Sequence, residues 1–502
     1  MWQRYGSRVT FARMQFLNAK IIPNLWMGFA LLFMLLPSIN NTGDALGYAG
    51  EFINNGQNGS WLFSPHHLLY APFGQITHSL VGKFCFGFLP WMQLINALAA
   101  GLTLLILYKT LLLRFEKQDA LNGLLLAGSA FVTMRFATEN ETYMIPVAIG
   151  LWGTYWLIKN QLAPKANLVW GGFILLGTAV LFHQIHCWWW LAAALFYPKS
   201  TTKWYAISAS LLFMVSAYVL AASYQGKSWL LYPFTDAMGE TVSLVPGMDN
   251  IKFTFINLVR TWIQVHGNIP YFIEKSPWLL VFIALSVMCV IIGAAKKSNP
   301  AKVKTASTSL NWIRYALFLQ LAWAFFSVGN AEFMCMVPCL AILSFSGLLQ
   351  RLRGRLPYFA LALFCWNLGV FLIPNSIVKT IDYRAALHTI LTLATDEKPT
   401  LILAREKVML ENTLSVMPQD FKDSFDRRRI VLVSVEKPTS IPDNVLIVTD
   451  AIDYPMPMSR GSLLQGSPEI LNQFSVQKPI AKSPTLFGPI IYHTLTKNNT
   501  NE

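Results

Sequence analysis

Long apolar runs, each closed by a short polar or basic stretch, recur along the first three quarters of the chain. A template of about 20 apolar residues, the length a helix needs to cross a bilayer core, fits them repeatedly. Eleven spans are predicted, near residues 21–39, 87–108, 120–136, 143–158, 168–182, 186–198, 204–223, 277–295, 311–328, 333–350 and 357–374. The fifth and sixth share a short stretch around His183 and His186, so a re-entrant pair is the alternative to two crossings there. Two long connections stand out, residues 40–86 and 224–276. The second holds Tyr224, Trp229, Tyr232, Phe234, Trp262 and Tyr271, which suits an interfacial helix: either one bordering a groove for a lipid chain or an ordinary aromatic belt.

Past residue 374 the pattern changes. Short β-rich runs at 400–404, 430–435 and 445–449 alternate with helix-compatible stretches, which predicts a small α/β domain over 375–502. Pro455, Pro457, Pro468, Pro479, Pro484 and Pro489 predict an irregular wrap before a last strand at 490–496, with 498–502 frayed. The fold class is thus an α-helical polytopic membrane protein, residues 1–374, carrying a small soluble α/β domain.

Composition agrees: 54% hydrophobic and 13% charged residues do not describe a soluble chain of 502 residues. Basic residues set the orientation, because they are retained on the cytoplasmic side of short loops. Arg4, Arg8, Arg13 and Lys20 precede the first span, and the alternation continues at Lys109, Arg114 and Lys117, at Lys159 and Lys165, and at Lys199 and Lys203. It ends at Lys296, Lys297, Lys302 and Lys304 and at Arg351, Arg353 and Arg355. The N-terminus is expected in the cytoplasm and the last domain outside, in an inner or plasma membrane if the source is bacterial. Of eleven acids up to residue 374, only Glu116 and Asp119 fall inside; Asp44, Glu51, Glu139, Glu141, Asp236, Glu240, Asp249, Glu274 and Glu332 fall in or beside outer loops. The tail is charge-balanced, so the net charge of +14 belongs to the membrane part. Cytoplasmic loops explain that charge without nucleic acid, and membrane lipids are the partners it implies.

A basic start followed by a short apolar run also fits a signal peptide, but the site after Leu36 lacks small-x-small cleavage residues and ten further spans favour a retained anchor. Cys85, Cys187, Cys289, Cys335, Cys339 and Cys365 all lie in or near apolar spans, where small buried hydrophobes are expected. Asn40, Asn58 and Asn140 each stand in an Asn-x-Ser/Thr pattern.

Chemistry concentrates in two places. Asn40, Asn41, Thr42 and Gly43 release the chain from the first span, and Asp44 follows at headgroup depth in Gly43-Asp44-Ala45-Leu46-Gly47-Tyr48. An Asp in such company also reads as a cap or a solvated loop residue. The second place is Arg135-Phe136-Ala137-Thr138-Glu139-Asn140-Glu141-Thr142-Tyr143, dense in charge for a link between two spans.

The first outer loop continues through Ala49-Gly50-Glu51-Phe52, Trp61-Leu62-Phe63-Ser64-Pro65-His66-His67-Leu68-Leu69-Tyr70, Pro72 and Gly74. It resembles the first outer loop of GT-C glycosyltransferases, among them protein O-mannosyltransferases and aminoarabinose transferases. The similarity covers the topology of the whole chain, and at sequence level this loop and the Glu139 region. The second acid that adjoins the Asp in protein mannosyltransferases is absent, which leaves the acceptor class open.

The resemblance implies transfer of a sugar from a polyprenyl-phosphate or -diphosphate carrier to an acceptor lipid, glycan or protein. A carboxylate must take the acceptor proton, and cations or hydrogen-bond donors must hold the departing phosphate. Asp44 is the expected general base, with Glu139 first and Glu141 second as partner acid. Tyr48, His66, His67, Lys83, Arg135, His183, Arg260 and Glu332 are the expected substrate-binding residues, with Arg the best fork for phosphate oxygens. A divalent cation, Mg²⁺ or Mn²⁺, suits such carboxylates, yet the residues leave metal dependence open. The spacing of His66, His67, His183 and His186 does not match a zinc ligand set. A flippase or transporter for a lipid-linked glycan, or a glycan polymerase, is the alternative. Transport usually needs acids at mid-membrane depth and internal repeats, and neither is seen.

Overall fold

The computed structural model describes residues 24–54, 62–234, 246–265, 267–296, 310–394, 398–435, 445–455 and 469–498. Arg4, Arg8, Arg13, Lys20, Asn58, Trp61, Asp236, Glu240, Lys297, Lys302, Lys304, Pro457, Pro468 and residues 499–502 lie outside these.

A helix, or a broken run of helices, lies over each of the eleven predicted segments. After α1 (Leu25–Leu35), helices α2 (Gly43–Asn54) and α3 (Tyr70–Leu80) lie in the first long connection. Then come α4 (Phe88–Leu112), the bent pair α5 (Lys117–Ser129) and α6 (Phe131–Thr138), α7 (Met144–Leu162), α8 (Ala166–Phe182), α9 (Cys187–Phe196) and α10 (Thr201–Tyr224). The second long loop holds α11 (Met248–Arg260) and α12 (Ile269–Lys275). The membrane part closes with α13 (Leu280–Ala295), α14 (Asn311–Phe326), α15 (Val337–Ser344), α16 (Ser346–Arg351) and α17 (Leu356–Asn367), which continues through a π turn at Leu368–Leu372 into α18 (Ile373–Ile377). Among the described residues, four helices are long and apolar enough to cross a membrane alone: Phe88–Leu112, Thr201–Tyr224, Pro277–Ala295 and Leu356–Ile377. The α5–α6 pair, bent by 60°, makes a fifth if it counts as one span. Helix length thus accounts for four or five crossings rather than eleven; Leu25–Leu35 and Ala166–Phe182 are apolar but short.

The bend between α5 and α6 positions the site. Ala130 is extended there (φ −65°, ψ 136°), which frees helical N–H groups in an apolar surrounding where each needs a partner. Phe131 N donates to Trp262 O (3.0 Å) and Val132 N to Thr261 O (3.2 Å), so the segment after α11 is stitched onto the start of α6. Asn367, at the end of α17, completes the stitch: its Nδ2 donates to Ser129 O (2.8 Å) and Trp262 O (2.7 Å), and its Oδ1 accepts from Gln264 N (2.8 Å). Asn367→Leu is expected to cost at least about 2 kcal/mol by orphaning these groups; a lower Tm in detergent than wild type checks it.

The acids sort to the two ends of α4. Its 25 residues span about 37 Å at 1.5 Å per residue. At one end Arg353 binds Asp119 (2.7 and 2.5 Å) and Glu116 (2.7 Å), joining two loops assigned to the same side. At the other end Asn96 reaches the Glu139–Glu141 turn.

The tail folds as predicted in kind. Helix α19 (Tyr383–Leu393) leads into β1 (Thr400–Ala404), α20 (Lys407–Ser415), α21 (Gln419–Arg427), β2 (Ile430–Ser434), β3 (Leu446–Asp453), β4 (Phe474–Ser483) and β5 (Ile490–Lys497). The sheet order is β2-β1-β3-β5-β4, parallel across β2, β1 and β3 and antiparallel beyond. β4 replaces part of the expected irregular wrap. Pro479 is tolerated because β4 is an edge strand and the register shifts on both sides of that proline.

The six cysteines are free thiols, and Cys289, Cys335, Cys339 and Cys365 are buried; Cys85 is exposed.

Candidate active site

Asp44 sits in the first turn of α2, where the positive end of the helix favours a carboxylate. The helix starts there because Thr42 Oγ1 accepts from Ala45 N (3.1 Å), an N-cap. The same Thr42 hydroxyl donates to Glu141 Oε1, so the cap of the Asp44 helix is tied to the second acidic cluster. Asn140 adds another tie: Nδ2 donates to Ala45 O (2.8 Å), and Oδ1 accepts from Tyr70 OH (2.8 Å). From α4, Asn96 Nδ2 donates to Glu139 O (2.8 Å) and Glu141 O (2.7 Å), which holds both acids of the turn by their backbone.

Arg135 is the cation at the centre. Its Nε lies 3.1 Å from Glu139 Oε2 and its Nη2 3.7 Å from Glu332 Oε1. Glu332 Oε2 accepts from Tyr143 OH (3.0 Å). Glu332 comes in after a sharp turn at Gly329 (φ 68°), where a Cβ would lie 2.3 Å from Thr254 N. Two carboxyls thus pair with one guanidinium, and those of Glu141 and Asp44 lie within its electrostatic reach. Burial raises the Glu139 carboxyl despite Arg135, and burial with Glu332 and Glu139 holds Glu141 well above the usual carboxylate range. Asp44 is raised by the cleft's desolvation and by Glu332, with Arg135 opposing. Among the described residues no hydrogen bond or ion pair occupies the Asp44 carboxylate.

Beside Arg135 lies a cavity of about 190 Å³ that Arg260 also lines, with Asn40, Gln264, Asn268 and Thr380. Arg260 Nη1 donates to Asn257 Oδ1 (3.2 Å) and its guanidinium lies over the Phe131 ring (5.7 Å), while Nε has no partner among the described residues. Burial and the neighbouring Arg135 push the Arg260 guanidinium down to about 10. It stays a cation at neutral pH, and two guanidinium groups facing one small cavity suit an anion.

No protein-family model matches the sequence, and no curated protein matches it. Among solved structures, the crystal structure of ArnT from Cupriavidus metallidurans bound to undecaprenyl phosphate matches 94% of this chain and 97% of its own, with TM-score 0.52 and 12% identity. The chain has the ArnT fold. ArnT in the apo state covers the same shares at TM-score 0.44 and 10% identity. The likeness to aminoarabinose-transferase-like GT-C enzymes read in the first outer loop therefore extends to the architecture of membrane part and tail together.

On the ArnT fold of this chain the remaining expected residues divide. Tyr48, one turn after Asp44, has its ring against Tyr70 (5.6 Å) and His67 (5.9 Å); its phenol is raised by burial and by Glu141 and Asp44, so it is a donor. The loop before α3 and the turn after α8 meet through Leu69 N to Leu181 O (3.0 Å), which brings His67 within 4.3 Å of His183. His66 and His186 flank them, and the His183 ring lies 4.8 Å from Tyr143. Burial and the neighbouring His66 push His67 down to about 3 against a hydrogen bond to the Phe182 backbone, leaving a neutral ring. Lys83 is exposed, its ammonium over Phe84 (5.1 Å), and it makes no described contact with the acid cluster. Among the described residues no group of three or more His, Cys, Asp and Glu side chains is arranged to hold a metal ion.

Thr42, Asn96, Tyr70 and Asn140 join the site only through the folded chain. Asn96 carried a signal, a polar amide inside an apolar span. Asn140 is fully buried with its amide engaged, which leaves no room for a glycan there.

Proposed function

We propose that this chain is an integral membrane glycosyltransferase of GT-C type that moves a sugar from a polyprenyl-phosphate carrier to an extracytoplasmic acceptor lipid, glycan or protein. The observation that carries this reading is an unengaged carboxylate, Asp44, within electrostatic reach of Arg135, which together with Arg260 lines a small cavity. Undecaprenyl phosphate, the ligand bound in the ArnT crystal structure, supports a carrier of that class. The N-terminus lies in the cytoplasm and the tail outside in this reading.

In the reaction the acceptor heteroatom forms its bond to the anomeric carbon and gives its proton to Asp44. The bond from that carbon to the phosphate oxygen breaks, and the phosphate keeps the electron pair. Arg135 is already engaged by Glu139 and Glu332, so Arg260 supplies the uncommitted donors for the departing charge. Glu139 and Glu332 fix Arg135; Glu141, raised by its neighbours, holds the cap of α2 through Thr42.

Labelled polyprenyl-phosphate sugars, presented to the purified protein in nanodiscs with candidate acceptors, test the proposal. Acceptor-dependent appearance of free polyprenyl phosphate is expected. Movement of an intact lipid-linked glycan across proteoliposomes, with no bond broken under any acceptor, would instead establish a transporter.

A further inference from the structure

Helix α2 is a weak helix held from outside. It carries glycine at 43, 47 and 50 within twelve residues, and glycine is the poorest helix former short of proline. At about 100° per residue these three fall on one stripe, away from Asp44 and Tyr48, which share the side facing the acid cluster. The stripe packs on α20 of the tail. Asn412 Nδ2 donates to Gly43 O (2.8 Å), the carbonyl next to Asp44. A Cβ on Gly43 would lie 3.4 Å from Met409 Sδ, and one on Gly47 3.4 Å from Asn412 Nδ2. At Gly50 there is no room: a Cβ would fall 1.8 Å from Ser415 Oγ and 2.7 Å from Ser415 Cβ. Beyond the stripe, Asn54 Nδ2 donates to Ser415 O (3.0 Å) and Lys422 Nζ to Asn54 Oδ1 (2.6 Å).

The back of α2 is open. Leu46, Ala49 and Ile53 line a cavity of about 690 Å³, which the tail walls with Met409, Thr413 and Val416. No continuous helix joins α2 to α1; α2 is held by the Glu139–Glu141 turn, by α4, where Phe52 stacks on Phe88 (4.0 Å) and Ala49 packs with Phe88 and Met92, and by α20.

We propose that the tail domain is a positioning element for the transfer reaction, and that Asn412 and the close contact of α20 with Gly50 set the place of Asp44. This rests on the reading of Asp44 as the base. Asn412 and Gly50 touch no reacting atom; they act through α2.

A size-swap at the seam provides the test. Gly50→Ala forces α2 away from α20, and a displacement on the scale of an ångström is expected to lower kcat roughly 10- to 100-fold. KM for the polyprenyl-phosphate sugar should change by no more than about twofold, because uniform binding is untouched. The double variant Gly50→Ala with Ser415→Gly removes both close atoms, leaving the next at 3.8 Å, and is expected to recover most of the lost turnover. Asn412→Ala, which adds no bulk, is expected to lower kcat about tenfold with KM kept and the pH dependence of kcat displaced. Folded Gly50→Ala and Asn412→Ala proteins with wild-type kcat would overturn the proposal, as would a Gly50→Ala defect that the double variant does not relieve. Activity of Asp44→Asn, run alongside, separates the two readings. If it is inactive while the seam variants are normal, only the positioning role falls. If it is fully active, the assignment of Asp44 falls as well.

Discussion

Asp44→Asn is expected to lose transfer by about 10³-fold, the middle of the range that positioned general bases contribute. The amide has the shape of the carboxyl and cannot take a proton. Folding should be kept, because Thr42 caps α2 through its own hydroxyl and Asn140 holds Ala45, while the Asp44 carboxylate is engaged by none of the described residues. A donor-binding assay on the same protein should show near-normal affinity, placing the loss in kcat. The pH profile provides an independent reading. The base form is the ionised one, and both desolvation and Glu332 raise the Asp44 carboxyl. Wild-type activity should therefore fall on acidification through a pKa above the ordinary value of about 3.9. Asp44→Glu, if active, should shift that limb. Near-normal turnover by folded Asp44→Asn would remove Asp44 from the mechanism.

Arg260→Gln is expected to weaken binding of polyprenyl phosphate by about 10- to 150-fold, the worth of a hydrogen bond to a charged group. Arg260 is singled out over Arg135 because removing Arg135 would also strand Glu139 and Glu332 and confuse binding with folding. Arg260 makes no ion pair among the described residues and is pushed down by burial and then by Arg135, so its loss relieves a desolvation cost and a repulsion. The Tm of the variant should equal or exceed that of wild type while its affinity drops. Equal affinity for polyprenyl phosphate in both proteins would show that the cavity beside Arg135 does not hold the phosphate.

Much of the architecture is legible in the chain because burial in lipid is read one residue at a time. Every predicted apolar segment is helical, and the strands at 400–404, 430–434, 446–453 and 490–497 fall where β-branched runs predict them. The strand Phe474–Ser483 was hidden by Pro479, since local propensity cannot tell that an edge with a shifted register will tolerate it. Crossing number is the other gap. An apolar run states that a segment avoids water but not whether it crosses straight, bends by 60° as the α5–α6 pair does, or stops short as α1 and α8 do.

The site divides along the same line. Asp44, Arg135, Glu139, Glu141 and Glu332 stand out in the sequence because charge beside an apolar span is costly unless something uses or pairs it. Sequence by itself thus determined which residue types lie beside the apolar spans and that a small α/β domain follows. Which of them meet was decided only in three dimensions. Arg260 comes to Arg135 because the break at Ala130 leaves N–H groups that Thr261 and Trp262 satisfy, and no local pattern encodes that pairing. Lys83, an equally good cation on paper, stays at the surface. The glycines of α2 form a seam for a helix more than 350 residues away. Contacts of that range depend on the shape of both partners at once, and shape exists only after the chain has packed.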